Sequence, residues 1–150
     1  MRFSVVVLLL ACSVAVADPK APDPDLVVTW KEGEMSRDMS IWTTTIAVTG
    51  TKLRYKREYA GRNSGWPGTK SVELDAPVKD PKKVGSALAA LDKIKVKPAK
   101  KPELEQMRLR SGCVRRGKAE RCASASGTEL KAIAAVRDAL LDGVKIPTSL

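Results

Sequence analysis

The stretch SIWTTTIAVTGTKLRYKREY, Ser40 to Tyr59, decides whether the chain folds around a sheet or around helices. Its first half places Trp42, Thr44, Ile46 and Val48 at a period of two, the spacing of side chains along one face of a strand. Its second half alternates Leu53, Tyr55 and Tyr59 with Arg54, Lys56 and Glu58. The density of β-branched and aromatic residues outweighs a helical reading, and Gly50 between the halves marks a turn. The stretch is therefore read as a β-hairpin.

Working outward, LVVTWKE, Leu26 to Glu32, repeats the pattern with Leu26, Val28 and Trp30 on one face. AGRNSGWPGTK is a loop by composition, and SVELD is a short fourth strand. KDPKKVGSALAALDKI is read as a helix: Asp80 suits the N-cap, Pro81 the first helical position, and Val84, Ala87, Leu88 and Leu91 form one apolar stripe. KVKPAKKPE is a polar connector broken by proline. TELKAIAAVRDALLDG is a second helix, with Leu130, Ile133, Ala134, Leu140 and Leu141 on one side. Ser126 and Glu129 fit a capping box, and Gly143 supplies the stop. No internal repeat is present.

SGCVRRGKAERCAS, Ser111 to Ser124, holds two of the three cysteines. With Gly117 and Lys118 at the centre of a tight turn, Arg116 faces Ala119, Arg115 faces Glu120, Val114 faces Arg121 and Cys113 faces Cys122. That places the two cysteines at a non-hydrogen-bonded pair, where side chains approach most closely, and a cross-strand disulfide is expected. The other readings of the segment fit less well. Gly112 to Ala119 matches the first seven positions of a phosphate-binding P-loop, but position eight is Ala119 and the context is a hairpin. Zinc needs four nitrogen or sulfur ligands, and the chain has no histidine. A redox dithiol lacks the C-x-x-C spacing.

The fold class expected is α+β: an antiparallel β-meander plus a β-hairpin, with two amphipathic helices packed on one face. The order of elements resembles, in outline, small secreted inhibitor-like domains such as the emfourin type of peptidase inhibitor.

The N-terminus reads as an export signal over residues 1–17. Arg2 is the positive n-region, Phe3 to Ala11 the apolar core, and Ala15-Val16-Ala17 the cleavage site. Leu9-Leu10-Ala11-Cys12 also fits a lipoprotein box acylated at Cys12, although an apolar stretch follows it where a polar tether is usual. The apolar run is too short to span a bilayer. Residues 18–25 form an extended lead-in, and residues 26–146 a single domain. The protein is expected to be exported, periplasmic or secreted, where a disulfide persists.

A net charge of +10 points to anionic surroundings. Three segments carry the excess: KLRYKREYAGR, KIKVKPAKK and RLRSGCVRRGKAER. The first interleaves tyrosines and cations, a pattern that stacks bases or sugars if the rings face solvent, but the parity shared with Leu53 turns Tyr55 and Tyr59 toward the core. The best anion-binding candidates are Arg108, Arg110, Arg115, Arg116, Lys118 and Arg121, around the hairpin tip. Trp66, in the loop NSGWPG, is a candidate contact residue, whereas Trp30 and Trp42 are assigned to the core.

The absence of histidine removes histidine-based triads and the usual general bases, and no Ser-x-x-Lys motif occurs. Glu32, Glu34 and Asp38 form a small acidic group, the only basis for a carboxylate glycosidase reading. The expectation is a non-enzyme without a cofactor: a small basic binding module that contacts an anionic envelope polymer or an acidic protein partner. The alternative is a peptidase-inhibitor-like secreted protein that uses the stapled hairpin or the Trp66 loop.

Overall fold

The computed structural model describes residues 25–34, 40–60, 70–95, 108–124 and 127–147. The export signal with Cys12, most of the lead-in, Asp38, Trp66, most of the polar connector and Ser126 lie outside the described residues, as do the side chains of Glu34 and Arg108.

Four strands, β1 (Leu26–Glu34), β2 (Ser40–Thr49), β3 (Lys52–Ala60) and β4 (Lys70–Pro77), precede helix α1 (Pro81–Lys93). Strands β5 (Arg108–Arg116) and β6 (Ala119–Ser124) and helix α2 (Thr128–Leu140) follow. All six strands join one antiparallel sheet in the order β4-β3-β2-β1-β5-β6. The first four form the expected meander, and the late hairpin adds to its free edge by pairing β5 with β1, Val28 opposite Val114. The molecule is thus a mixed α+β protein.

Period-two alternation shows directly in the burial. Leu26, Val28 and Trp30 of β1, Ile46 and Val48 of β2, Leu53 and Tyr55 of β3 and Val114 of β5 are all buried. The ladder registers place them on the same face. Helix α2 packs against β1, β5 and β6 and against α1. Its buried residues are Leu130, Ile133, Val136, Ala139 and Leu140, so Val136 and Ala139 complete a stripe that the sequence had assigned in part to Ala134 and Leu141. Helix α1 buries Val84, Leu88 and Leu91. At Gly112 the backbone of β5 lies close under α2. A Cβ there would lie 2.7 Å from Ile133 Cγ2 and 2.8 Å from Trp30 Cε3, closer than carbon atoms pack.

The N-terminus of α1 is capped as expected, with Asp80 Oδ1 accepting from the Lys83 amide at 2.9 Å and Pro81 in the first turn. The start of α2 is different. Its N-cap is Gly127, with no side-chain cap, and the Glu129 carboxylate is drawn away to Arg121. No described helix is long and apolar enough to cross a membrane.

Candidate functional site

The late hairpin turns through Gly117 and Lys118, with Gly117 at φ 57°, a left-handed conformation that costs glycine nothing. Arg116 pairs with Ala119, Arg115 with Glu120, Val114 with Arg121 and Cys113 with Cys122. The two cysteines are disulfide-bonded, with Cα atoms 4.1 Å apart. Because alternate residues point to opposite faces, the disulfide lies on the sheet face opposite buried Val114. The Glu120 carboxylate is near the two sulfurs, but sulfurs bonded to each other offer a metal no thiolate.

Alternation places Arg108, Arg110, Arg116 and Arg121 on the face of Val114 and Arg115 on the disulfide face, with Lys118 in the turn, and distance along β5 separates the first two from the rest. Arg116 and Arg121 turn toward α1. Arg116 makes a two-point ion pair with Asp92, one arm at 3.1 Å. Arg121 reaches further: Nε donates to Glu129 at 2.6 Å, Nη1 to the Leu91 carbonyl at 2.6 Å, and Nη2 to the Ile94 carbonyl. It therefore satisfies carbonyls at the C-terminal end of α1, where a helix leaves acceptors unpaired and favours positive charge. Its side chain is only 19% exposed. Arg115 and Lys118 are both exposed and have no partner among the described residues.

Arg108 and Arg110 belong to the far end of β5, where they register with Glu34 and Glu32 of β1. Six residue steps of strand separate Arg110 from Arg116, about 20 Å. The cluster that proximity in sequence suggested is thus split between two ends of the sheet. In place of Arg108 and Arg110, the tip acquires cations from the C-terminal end of α1 and the residues just after it. The links from Arg116 to Asp92 and from Arg121 to Leu91 and Ile94 bring exposed Lys93 and Lys95 to the same end as Arg115 and Lys118. These two lysines are the described cations of the second basic segment.

Three cations of the first basic segment, Arg54, Lys56 and Arg57, are paired locally. Arg54 bonds Asp75 at 2.9 Å, and Lys56 lies between Glu58 at 2.8 Å and Glu73 at 3.5 Å. The hydrogen bond from Arg54, with its charge, holds the Asp75 carboxyl below the usual carboxylate range, while Glu58 raises the Lys56 ammonium. Arg54, Lys56, Glu58, Glu73 and Asp75 are all exposed or nearly so, where such pairs contribute little to stability.

A second constellation escaped the sequence reading. Arg57 shares the parity of Leu53 and Tyr55, so a guanidinium stands on the apolar face of β3. It stacks over Trp42, 4.4 Å from the ring centroid, and donates from Nη2 to Glu32 at 3.3 Å. The other Glu32 oxygen accepts from Trp30 Nε1 at 3.4 Å. Trp42 and Tyr59, directly opposite in the β2–β3 ladder, pack with centroids 4.7 Å apart and planes inclined at 50°. Arg137 of α2 covers Trp30 at 4.3 Å. Trp30 and Tyr55 are core residues as expected, 6% and 2% exposed, but Trp42 and Tyr59 are only half-buried. They stand toward the end of the sheet, past the buried row of Trp30 and Thr44. The signal was present in the sequence: a cation on the hydrophobic parity needs a partner, and Glu32 on the parity of Trp30 provides it.

Compared with known protein families and with curated protein sequences, the chain matches none.

Proposed function

We propose that the protein is a small exported, non-catalytic binding module whose contact surface is the basic end of the sheet. That surface wraps the end of the sheet, from Arg115 on the disulfide face through Lys118 in the turn to Lys93 of α1 and Lys95 just beyond its end. Its ligand is an anionic envelope polymer or an acidic protein. In this reading both helices lie on one face of the sheet, which agrees with the shared parity of the buried strand residues and with the packing of α2 on β1, β5 and β6.

The observation that carries the reading is the double anchorage of the hairpin to α1 through Arg116 and Arg121. It consumes two arginines in structure, and in doing so gathers four other cations, distant in sequence, on one end of a rigid support. Rigidity reduces the entropy lost when a surface binds, and a patch of one sign concentrates an anionic partner. The paired charges on β3 and β4 add no comparable excess. The export signal expected from residues 1–17 and the disulfide are in keeping with a working place outside the cytoplasm.

Titration with heparin at several salt concentrations tests the proposal. Affinity is expected to fall linearly on a log–log plot between about 50 and 200 mM salt, as counterions are displaced. The variant Lys93→Ala/Lys95→Ala/Arg115→Ala/Lys118→Ala should bind on the order of a hundredfold more weakly at low salt, with a shallower slope. Salt-independent affinity, or a variant that binds like the native protein, would contradict the proposal. Tight binding of a secreted protease that survives high salt would favour the inhibitor alternative.

A further inference from the structure

At the opposite end of the sheet, we infer a second binding site, one for the carboxylate-bearing sugar rings of an acidic polysaccharide. It is formed by Trp42, Tyr59, Glu32 and Arg110. Trp42 and Tyr59 are half-buried, so part of their aromatic surface is accessible. With centroids 4.7 Å apart and planes inclined at 50°, the two rings pack against each other as one aromatic pair, and the apolar area that this pair leaves exposed is the platform that the C–H face of a pyranose would cover.

The platform is held in place before any ligand arrives. Arg57 stacks on Trp42, Glu32 fixes Arg57, and Trp30, itself buried under Arg137, fixes Glu32. Such a chain of contacts keeps a binding surface in one geometry.

Charge selects the ligand class. Around the platform stand Arg57, Arg110 and Arg137 against Glu32 and Asp138. Glu32 is paired with Arg57 and Asp138 with Arg137. Arg110 remains exposed, opposite Glu32 in the ladder and without a partner among the described residues. One uncompensated guanidinium beside one aromatic platform matches one carboxylate per ring, as in a uronic acid. A single-stranded nucleic acid would also stack on these rings, but its phosphates would meet the Glu32 carboxylate, whereas a sugar hydroxyl donates to it.

The test uses isothermal titration of the signal-free protein at about 0.5 M salt, where long-range attraction is screened. The probes are polygalacturonate, polyglutamate as an anionic polymer without rings, and oligothymidylate. Polygalacturonate alone is expected to retain binding. Trp42→Ala should weaken it by about tenfold or more, in the range for loss of one stacking ring. Arg110→Ala, at an exposed position that leaves the fold intact, should also weaken it severalfold. The quadruple variant at the basic end should bind polygalacturonate normally at this salt concentration, so this site and that end fail separately. Equal binding of polyglutamate or oligothymidylate, absence of polygalacturonate binding, or an Arg110→Ala protein that binds it unchanged would each overturn the assignment.

Discussion

Replacement of Arg121 by methionine is expected to lower the free energy of unfolding by about 2–4 kcal/mol, the range for removing one member of a largely buried, hydrogen-bonded charge pair. The expectation rests on what the side chain leaves behind. Methionine retains the apolar stem, but the Leu91 and Ile94 carbonyls lose their donors and the Glu129 carboxylate, 21% exposed, loses its counter-charge. Arg121→Lys should rescue little of the loss, because a single ammonium lacks the planar fork that reaches three acceptors on two helices. Urea denaturation provides the measurement: the midpoint falls while the slope, set by the surface exposed on unfolding, stays constant. A loss below about 0.5 kcal/mol, the size of an ordinary surface substitution, would show that Arg121 is not the link between hairpin and helices.

Removal of the disulfide has a comparable effect from a different source. Cys113 is half-buried and Cys122 exposed, on the sheet face away from the core cluster, so a Cys113→Ala/Cys122→Ala variant opens no core cavity. What is lost is the restraint on the unfolded chain. For a closed loop of about ten residues, the chain-entropy treatment gives about 2.7 kcal/mol. The variant should unfold at correspondingly lower urea, and reduction of the native protein by a mild thiol should produce the same shift. Because the hairpin tip carries Arg115 and Lys118, heparin affinity should fall too, through fraying of the turn. Equal stability of the variant and the native protein would mean that β5 and β6 are held by their neighbours alone.

Much of the architecture could be read from period and punctuation. The alternation over Ser40–Tyr59 and Leu26–Glu32 has only one solution that buries the apolar set, and Gly50 and Gly117 mark turns that need a positive φ. Once the second turn is centred on Gly117 and Lys118, the facing of Cys113 and Cys122 follows by counting, and it is what the structure contains. The N-cap of α1 is equally local, since Asp80 and Pro81 are adjacent in the chain.

The candidate site was less legible, because its decisive contacts join segments remote in sequence. Nothing within RRGKAER shows that Arg121 turns back onto the last carbonyls of a helix about 30 residues earlier; that depends on where α1 ends over the sheet. Glu129 has the spacing of a capping residue, yet the stronger attraction of the Arg121 guanidinium takes it elsewhere. Trp42 has core parity, but parity fixes only the face. Its distance along the strand from the buried rows determines how much of the ring is covered. Arg57 shows the reverse case, a charge on the apolar face made tolerable by Trp42 and Glu32, which come from two other strands.

The central claim is that the hairpin tip and the C-terminal end of α1 act as one contact surface because the hairpin is locked to the helix. Backbone amide NMR during titration with a heparin fragment tests this most directly. The account predicts that signals from Arg115 to Lys118 and from Lys93 to Lys95 shift together, with one common dissociation constant. Shifts confined to one of the two segments, or centred on the paired charges of β3 and β4, would contradict it.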